Sequence, residues 1–166
     1  MEAVIIVGAL VLLLSTVAFL QGGIDRAAEG YRQGLDLALS VAPQVALGFA
    51  LAGLISVVIP PEVIGRWIGE ESGIQGLLIA TVAGVLTPGG PFLQFPLVAS
   101  LAKGGAGVGP LAAYLTAWSL ISLNRAIVWE VPLLGGSFAV ARYAASLVAP
   151  ILIGLLMPVV YRSLAR

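Results

Sequence analysis

The run Thr87-Pro88-Gly89-Gly90-Pro91 joins two residues without a backbone N–H to two that tolerate non-helical backbone. It interrupts an otherwise apolar stretch, residues 73–101. A helix should therefore end near Leu86, and a second should begin near Phe92 with Pro91 at its first position. The start of that second helix leaves free N–H groups and a partial positive charge facing whatever fills the break. Irregular backbone at membrane depth occurs where protein or a water-filled cavity surrounds it, and discontinuous helices mark solute sites in transporters. The chemistry would be non-covalent binding of a small solute. Thr87 and Gln94 are the nearest polar side chains and are candidate contacts. The competing explanation is a plain loop or kink that holds no ligand.

Asn124, Arg125 and Glu130 form a second candidate group, since charges within apolar stretches are costly and mark pathways or internal pairs. Five residues of separation put Arg125 and Glu130 about 140° apart on a straight α-helix, so they need other partners or a break between them. Arg142, beyond the Gly135-Gly136 turn, is one possible partner for Glu130. Alternatively, Arg125 snorkels to the interface at the end of a span. Trp118 and Trp129 read first as interface anchors or packing residues, and Ser119 and Ser122 as packing or backbone-bonded hydroxyls.

Covalent chemistry has little to work with. There is no cysteine and no histidine, so disulfides and serine–histidine pairs are impossible. A metal would depend on scattered carboxylates, and neither metal nor cofactor is expected. No nucleophile elbow or phosphate-binding glycine loop with lysine is present, and an enzyme is not expected. Eight basic and eight acidic residues balance, which excludes a strongly basic nucleic-acid binder.

The elements that must position these residues are membrane helices. Of 166 residues, 60% are hydrophobic and 10% charged, against about 25% charged in soluble domains. Mean hydropathy is +1.08. The fold class is an all-α polytopic membrane protein with about five hydrophobic segments in one membrane domain. The first covers residues 3–20, long enough at roughly 27 Å for the hydrocarbon core, and reads as a retained helix because no basic residue precedes it. A polar connector, 21–34, carries Asp25, Arg26, Glu29 and Arg32. The second segment, 35–59, contains Pro43. An interfacial segment, 60–72, presents Trp67 as a headgroup-level anchor. The third, 73–101, is broken or re-entrant at Thr87–Pro91. The fourth, 109–134, is interrupted at Asn124-Arg125, and the fifth is 138–160.

Small residues recur at spacing four, as Gly76, Ala80, Gly84 and as Ala141, Ala145, Ala149, and suggest faces where helix backbones approach closely. If each region crosses once, Arg26, Arg32, Lys103, Arg162 and Arg166 share one side and Arg66 lies opposite. The positive-inside rule then favours N-terminus outside and C-terminus inside. A re-entrant turn at residues 87–91 would change that parity.

The stretch from Gly84 through Thr87-Pro88-Gly89-Gly90-Pro91-Phe92 to Phe95-Pro96-Leu97, with Gly105-Ala106-Gly107-Val108-Gly109 and Thr116-Ala117-Trp118-Ser119-Leu120, resembles the predicted permease family. That family contains ArsP-type organoarsenical efflux proteins and YraQ-like membrane proteins, and the similarity covers about residues 35–160. The resemblance implies two related halves, each bringing a proline- and glycine-containing broken segment toward the membrane centre. The chain looks like one half, so a homodimer would rebuild the permease. Arsenical-transporting members carry cysteines where this chain has Thr87–Pro91. A soft trivalent arsenical prefers thiolates, so that cargo does not fit. The expectation is a permease in the cytoplasmic membrane for a small, unidentified solute. Thr87, Pro88, Gly89, Gly90, Pro91 and Gln94 would line the path, and Asn124, Arg125 and Glu130 would gate it or balance its charge. A non-transporting scaffold or accessory subunit is the alternative.

Overall fold

Alternation of long apolar runs with glycine and proline breaks yields a chain that is helical throughout, with short connections, among the residues 2–164 described by the computed structural model. Arg166, one of the basic residues in the orientation count, lies outside them. The chain divides into two compact units, Met1–Pro43 and Gln44–Arg166. Helix α1 (Glu2–Val58) begins in the first unit and ends in the second.

Within the first unit α1 leaves helical geometry only at Gly22 and Gly23. Gly23 adopts φ 68°, a left-handed value that favours glycine. The limbs on either side meet, with the Ser15 and Tyr31 hydroxyls 2.7 Å apart. The polar connector is therefore helical from Ile24 onward, and only its two glycines form the bend.

The second unit is built on α3 (Gly73–Leu86), α5 (Val108–Ile121) and α9 (Ala149–Leu164), which pack in that order. Leu77, Ala80, Ala113 and Tyr114 form the centre of its core, joined by Leu97 of α4 (Pro91–Lys103). Backbones approach closely where glycine allows it. A Cβ on Gly84 would run into the Tyr114 carbonyl and come within 3.0 Å of the Ala117 Cβ. One on Gly154 would sit 2.6 Å from Leu77 and 3.1 Å from the Gly109 carbonyl oxygen. Gly84 and Ala80 thus occupy a buried α3–α5 seam. The stripe expected on the last segment differs, because Ala141 and Ala145 are exposed. The close contact there is made by Gly154 against Gly109, since α9 turns that face to α5.

Neighbouring residues give the helix directions. Leu77 packs by Gly109 and Gly84 by Tyr114, so α3 and α5 run parallel. Gln94 meets Tyr114 while Gly104 meets Ile64, so α4 runs back toward α2 (Pro61–Ile68). The Gly107 N–H donates to the Ile68 carbonyl at 2.8 Å. Glu70 accepts from the Val108 N–H at 3.0 Å and lies 3.8 Å from Arg162. That carboxylate sits at the positive end of α5, where a negative charge is favoured.

These contacts correct the orientation count. Arg66 belongs to α2, at the same end of the unit as Lys103 and Arg162, and not opposite them. The reason is that α3 and α4 run out and back, so crossing parity is not preserved between residues 66 and 103.

Three helical stretches among the described residues are long and apolar enough to cross a membrane: Val4–Val58, Val108–Leu134 and Gly136–Leu164. Helix α3 is apolar but shorter.

Candidate functional site

Pro88 drives Thr87 out of the helical region, to φ −72° and ψ 116°, and α3 stops. Helix α4 restarts with Gly90 as its cap and Pro91 at its first position. The four residues between are held from three directions. The Gln94 side-chain amide donates to the Pro88 carbonyl at 3.1 Å. The Trp118 indole donates to the Gly89 carbonyl at 3.0 Å. The Thr87 hydroxyl turns back to the Ala83 carbonyl at 2.7 Å. Gly89 takes φ +100°, which side-chain-bearing residues rarely adopt.

Gln94 is 0% exposed, and its other amide atom accepts from the Tyr114 hydroxyl. It is thus occupied within the protein and braces the turn from behind. The Thr87 hydroxyl is likewise spent on its own helix. The groups that turn outward are the backbone and open faces of Gly89 and Gly90.

Helix α5 ends at Ile121, because Ser122 adopts extended backbone (φ −62°, ψ 121°). Its carbonyl accepts from the Tyr143 hydroxyl. Ending a helix frees its last carbonyls. Arg125, in the short α6 (Leu123–Arg125), answers this by donating one terminal guanidinium nitrogen to the Trp118 carbonyl at 3.2 Å and to the Ser119 carbonyl.

Beyond Arg125 the chain makes a π-helical turn, Ala126–Glu130, before α7 (Val131–Leu134). The Val131 N–H donates to the Ala126 carbonyl five residues back, where an α-helix would use four. Pro132 provides a cause: in an uninterrupted α-helix its ring would clash with the Val128 carbonyl, and it has no N–H to offer. In a π turn, residues five apart share a face. Arg125 Nε and Glu130 Oε1 are accordingly 3.7 Å apart. The separation expected on a straight α-helix does not hold, because the helix between them is not straight.

Glu130 is 8% exposed. Arg142 of α8 (Gly136–Ser146) reaches it across the Gly135 turn, with Nε to Oε2 at 2.8 Å and a second contact from a terminal nitrogen to Oε1. One carboxylate thus lies between two guanidinium groups, and the nearer, doubly bonded one is Arg142.

The two candidate groups converge. A cavity of about 330 Å³ is lined by Gly89 and Gly90 of the turn together with Asn124 and Arg125, and Gln44 and Trp118 share its wall. Trp129 and Ser122 complete the wall. Of the expected site residues, Gly89, Gly90, Asn124 and Arg125 line it, and Glu130 stands behind Arg125. Thr87, Pro88, Pro91 and Gln94 shape the turn without lining the cavity. Gln44 was missed. It follows Pro43, and its one polar group in an apolar run was the available signal. Gly48 was also missed. A Cβ there would lie 2.6 Å from the Phe92 carbonyl oxygen, so its absence lets α1 pass directly against the start of α4.

Residues 34–164 match the family model described as predicted permease, of the ArsP type. A UPF0718 protein of Methanocaldococcus jannaschii is 34% identical over 92 residues, which cover 55% of this chain and 25% of that protein. The chain is thus similar to only part of a longer relative. No solved structure matches it.

Proposed function

The chain belongs to the predicted permease family, and from that premise we propose that it moves a small solute across the cytoplasmic membrane along a path past the turn at residues 87–90. Membership in this family implies a transporter and a place in a lipid bilayer. The observation that carries the finer reading is the meeting of two helix interruptions, after Leu86 and at Ser122, around one cavity.

Helix lengths support a mid-membrane position for that cavity. Helix α3 has 14 residues and α4 has 13. At about 1.5 Å per residue each reaches roughly 20 Å, short of the ~30 Å core. The indole that holds Gly89 belongs to Trp118, about 15 Å along α5 from Val108. On this reading α3 and α4 are the limbs of a re-entrant hairpin whose tip reaches the middle of the bilayer. The full crossings next to it are 108–134 and 136–164, and the segments 3–20 and 35–59 are the remaining two of the five. The end that carries Arg66, Lys103 and Arg162 faces the cytoplasm by the positive-inside rule, which keeps the C-terminus inside. A second copy of the chain completes the path, and the exposed Ala141 and Ala145 give α8 a face suited to close helix contact. Transport proceeds by rocking or gating around the interrupted helices, without covalent chemistry.

Reconstitution into liposomes and measurement of flux across a panel of small solutes tests the proposal. Solute movement that depends on the protein is expected. Folded, reconstituted protein that moves none of them would overturn it.

A further inference from the structure

The charge balance around the cavity points to a class of ligand, whose physiological meaning rests on the permease reading. Between Ser72 and Arg166 the sequence holds one acidic side chain, Glu130. Two arginines converge on it. Arg142 occupies both carboxylate oxygens with two hydrogen bonds. Arg125 has only a 3.7 Å approach to Oε1, and its Nε is buried without a hydrogen-bond partner among the described residues. The triad therefore carries one unit of surplus positive charge, and the surplus resides on Arg125.

Arg125 is the member that lines the cavity. Among the described residues no carboxylate shares the wall with it. The other polar side chains there, Gln44, Asn124 and Ser122, can all donate hydrogen bonds. Gly90 adds the opening of the 13-residue α4, where Pro91 has no N–H and the Leu93 and Gln94 N–H groups already donate to the Gly90 carbonyl, so the positive helix end contributes chiefly through its dipole. Arg125 is held only by the two carbonyls at the end of α5 and by its distant approach to Glu130; a cation without a bonded carboxylate inside an apolar segment is costly, and a bound anion offsets that cost. Trp118 and Trp129 supply apolar walls beside the charge.

We propose that this cavity binds a small, singly charged organic anion, with Arg125 as the charge partner and Asn124 and Gln44 as donors to its oxygens. The site would discriminate by charge. A neutral solute leaves Arg125 uncompensated, and a cation meets it directly.

Methanesulfonate is a suitable probe because it stays ionised at all accessible pH, and dimethyl sulfone is its neutral counterpart of similar size. Two readouts are taken on the full chain: flux of each probe into proteoliposomes, and tryptophan fluorescence on titration, since Trp118 and Trp129 line the cavity. Methanesulfonate flux and a saturable fluorescence change are expected for the native chain. Arg125→Gln is expected to lower both roughly tenfold or more, Arg125→Lys less, and neither to create sulfone transport. Asn124→Leu leaves the carbonyl contacts of Arg125 in place. It is expected to weaken methanesulfonate binding by a few-fold, so the proposal stays testable if Arg125→Gln does not fold. Sulfone flux without methanesulfonate flux or binding would overturn the anion assignment and leave the permease reading standing. Binding sensitive to Arg125 without flux of any solute would keep the anion site and overturn the permease reading. Absence of both binding and flux in folded protein would overturn both.

Discussion

Arg142 holds Glu130 through two guanidinium nitrogens across the Gly135 turn, while Arg125 stands 3.7 Å away on the same carboxylate. Removing the carboxylate alone should leave two cations facing each other. Glu130→Gln is expected to cost about 2–4 kcal/mol, somewhat below a fully buried pair because Arg142 keeps some contact with its surroundings. Adding Arg142→Gln should restore part of it, giving a coupling of about 1 kcal/mol or more in a double-mutant cycle followed by thermal unfolding in detergent. Additive single effects would show that the pair is not coupled.

Gly89 and Gly90 are adjacent but make opposite demands. Gly89 sits at φ +100°, so Gly89→Ala should destabilise by about 1–2 kcal/mol through the backbone. Gly90 has φ −91° and open space where a Cβ would stand, with no atom within 4 Å. Gly90→Leu should therefore fold and assemble normally, yet fill the cavity and abolish flux. Unchanged flux in Gly90→Leu would move the path elsewhere.

Gln94 links the turn to α5 through the Pro88 carbonyl and the Tyr114 hydroxyl. Gln94→Leu leaves the buried Tyr114 hydroxyl without its Gln94 acceptor and the exposed Pro88 carbonyl without its Gln94 donor, at a cost of about 1–3 kcal/mol. Combining it with Tyr114→Phe removes one of the orphaned groups and should recover about 1 kcal/mol. Unfolding midpoints of the two variants decide the point. An unaltered midpoint in Gln94→Leu would mean that the brace is dispensable.

At the other end, Glu70 caps α5 at the Val108 N–H and approaches Arg162. Glu70→Ala should cost about 0.5–2 kcal/mol. Arg162→Gln should cost much less, since both partners of that pair are largely exposed and salt screens them. Stability measured in low and high salt should separate the cap, which is nearly salt-independent, from the ion pair.

Helix ends were the most legible part of this chain. The stop after Leu86 and the start at Pro91 follow from Pro88, Gly90 and Pro91, whose constraints act over one or two residues. Convergence of the two candidate groups was not legible, because Trp118 meets Gly89 across 29 positions of sequence and only helix packing decides such a meeting. That packing depends on Gly48, Gly109 and Gly154, which in so glycine-rich a chain carry no distinguishing mark. The pairing of Arg125 with Glu130 fell between these cases. Its cause, Pro132, is local and visible, but a period of 3.6 residues was applied through a stretch where the period is longer. The inward hydrogen bonds of Thr87 and Gln94 were not legible for a related reason. Nearness in sequence to a break does not tell whether a side chain turns inward to brace it or outward to line it.

The π turn also has a consequence for how this region can change over generations. A π turn is equivalent to an α-helix with one residue added. Excising a single codon among 127–129 would restore the α-helical phase and leave Arg125 and the carboxylate four residues apart, a spacing at which they still share a face. Arg142 lies beyond the excision and would travel with the carboxylate. The ion cluster therefore tolerates the loss of one residue here, provided the turn changes from π to α with it. Lineages that share these charges but are one residue shorter here should be expected to keep the arrangement on a plain α-helix.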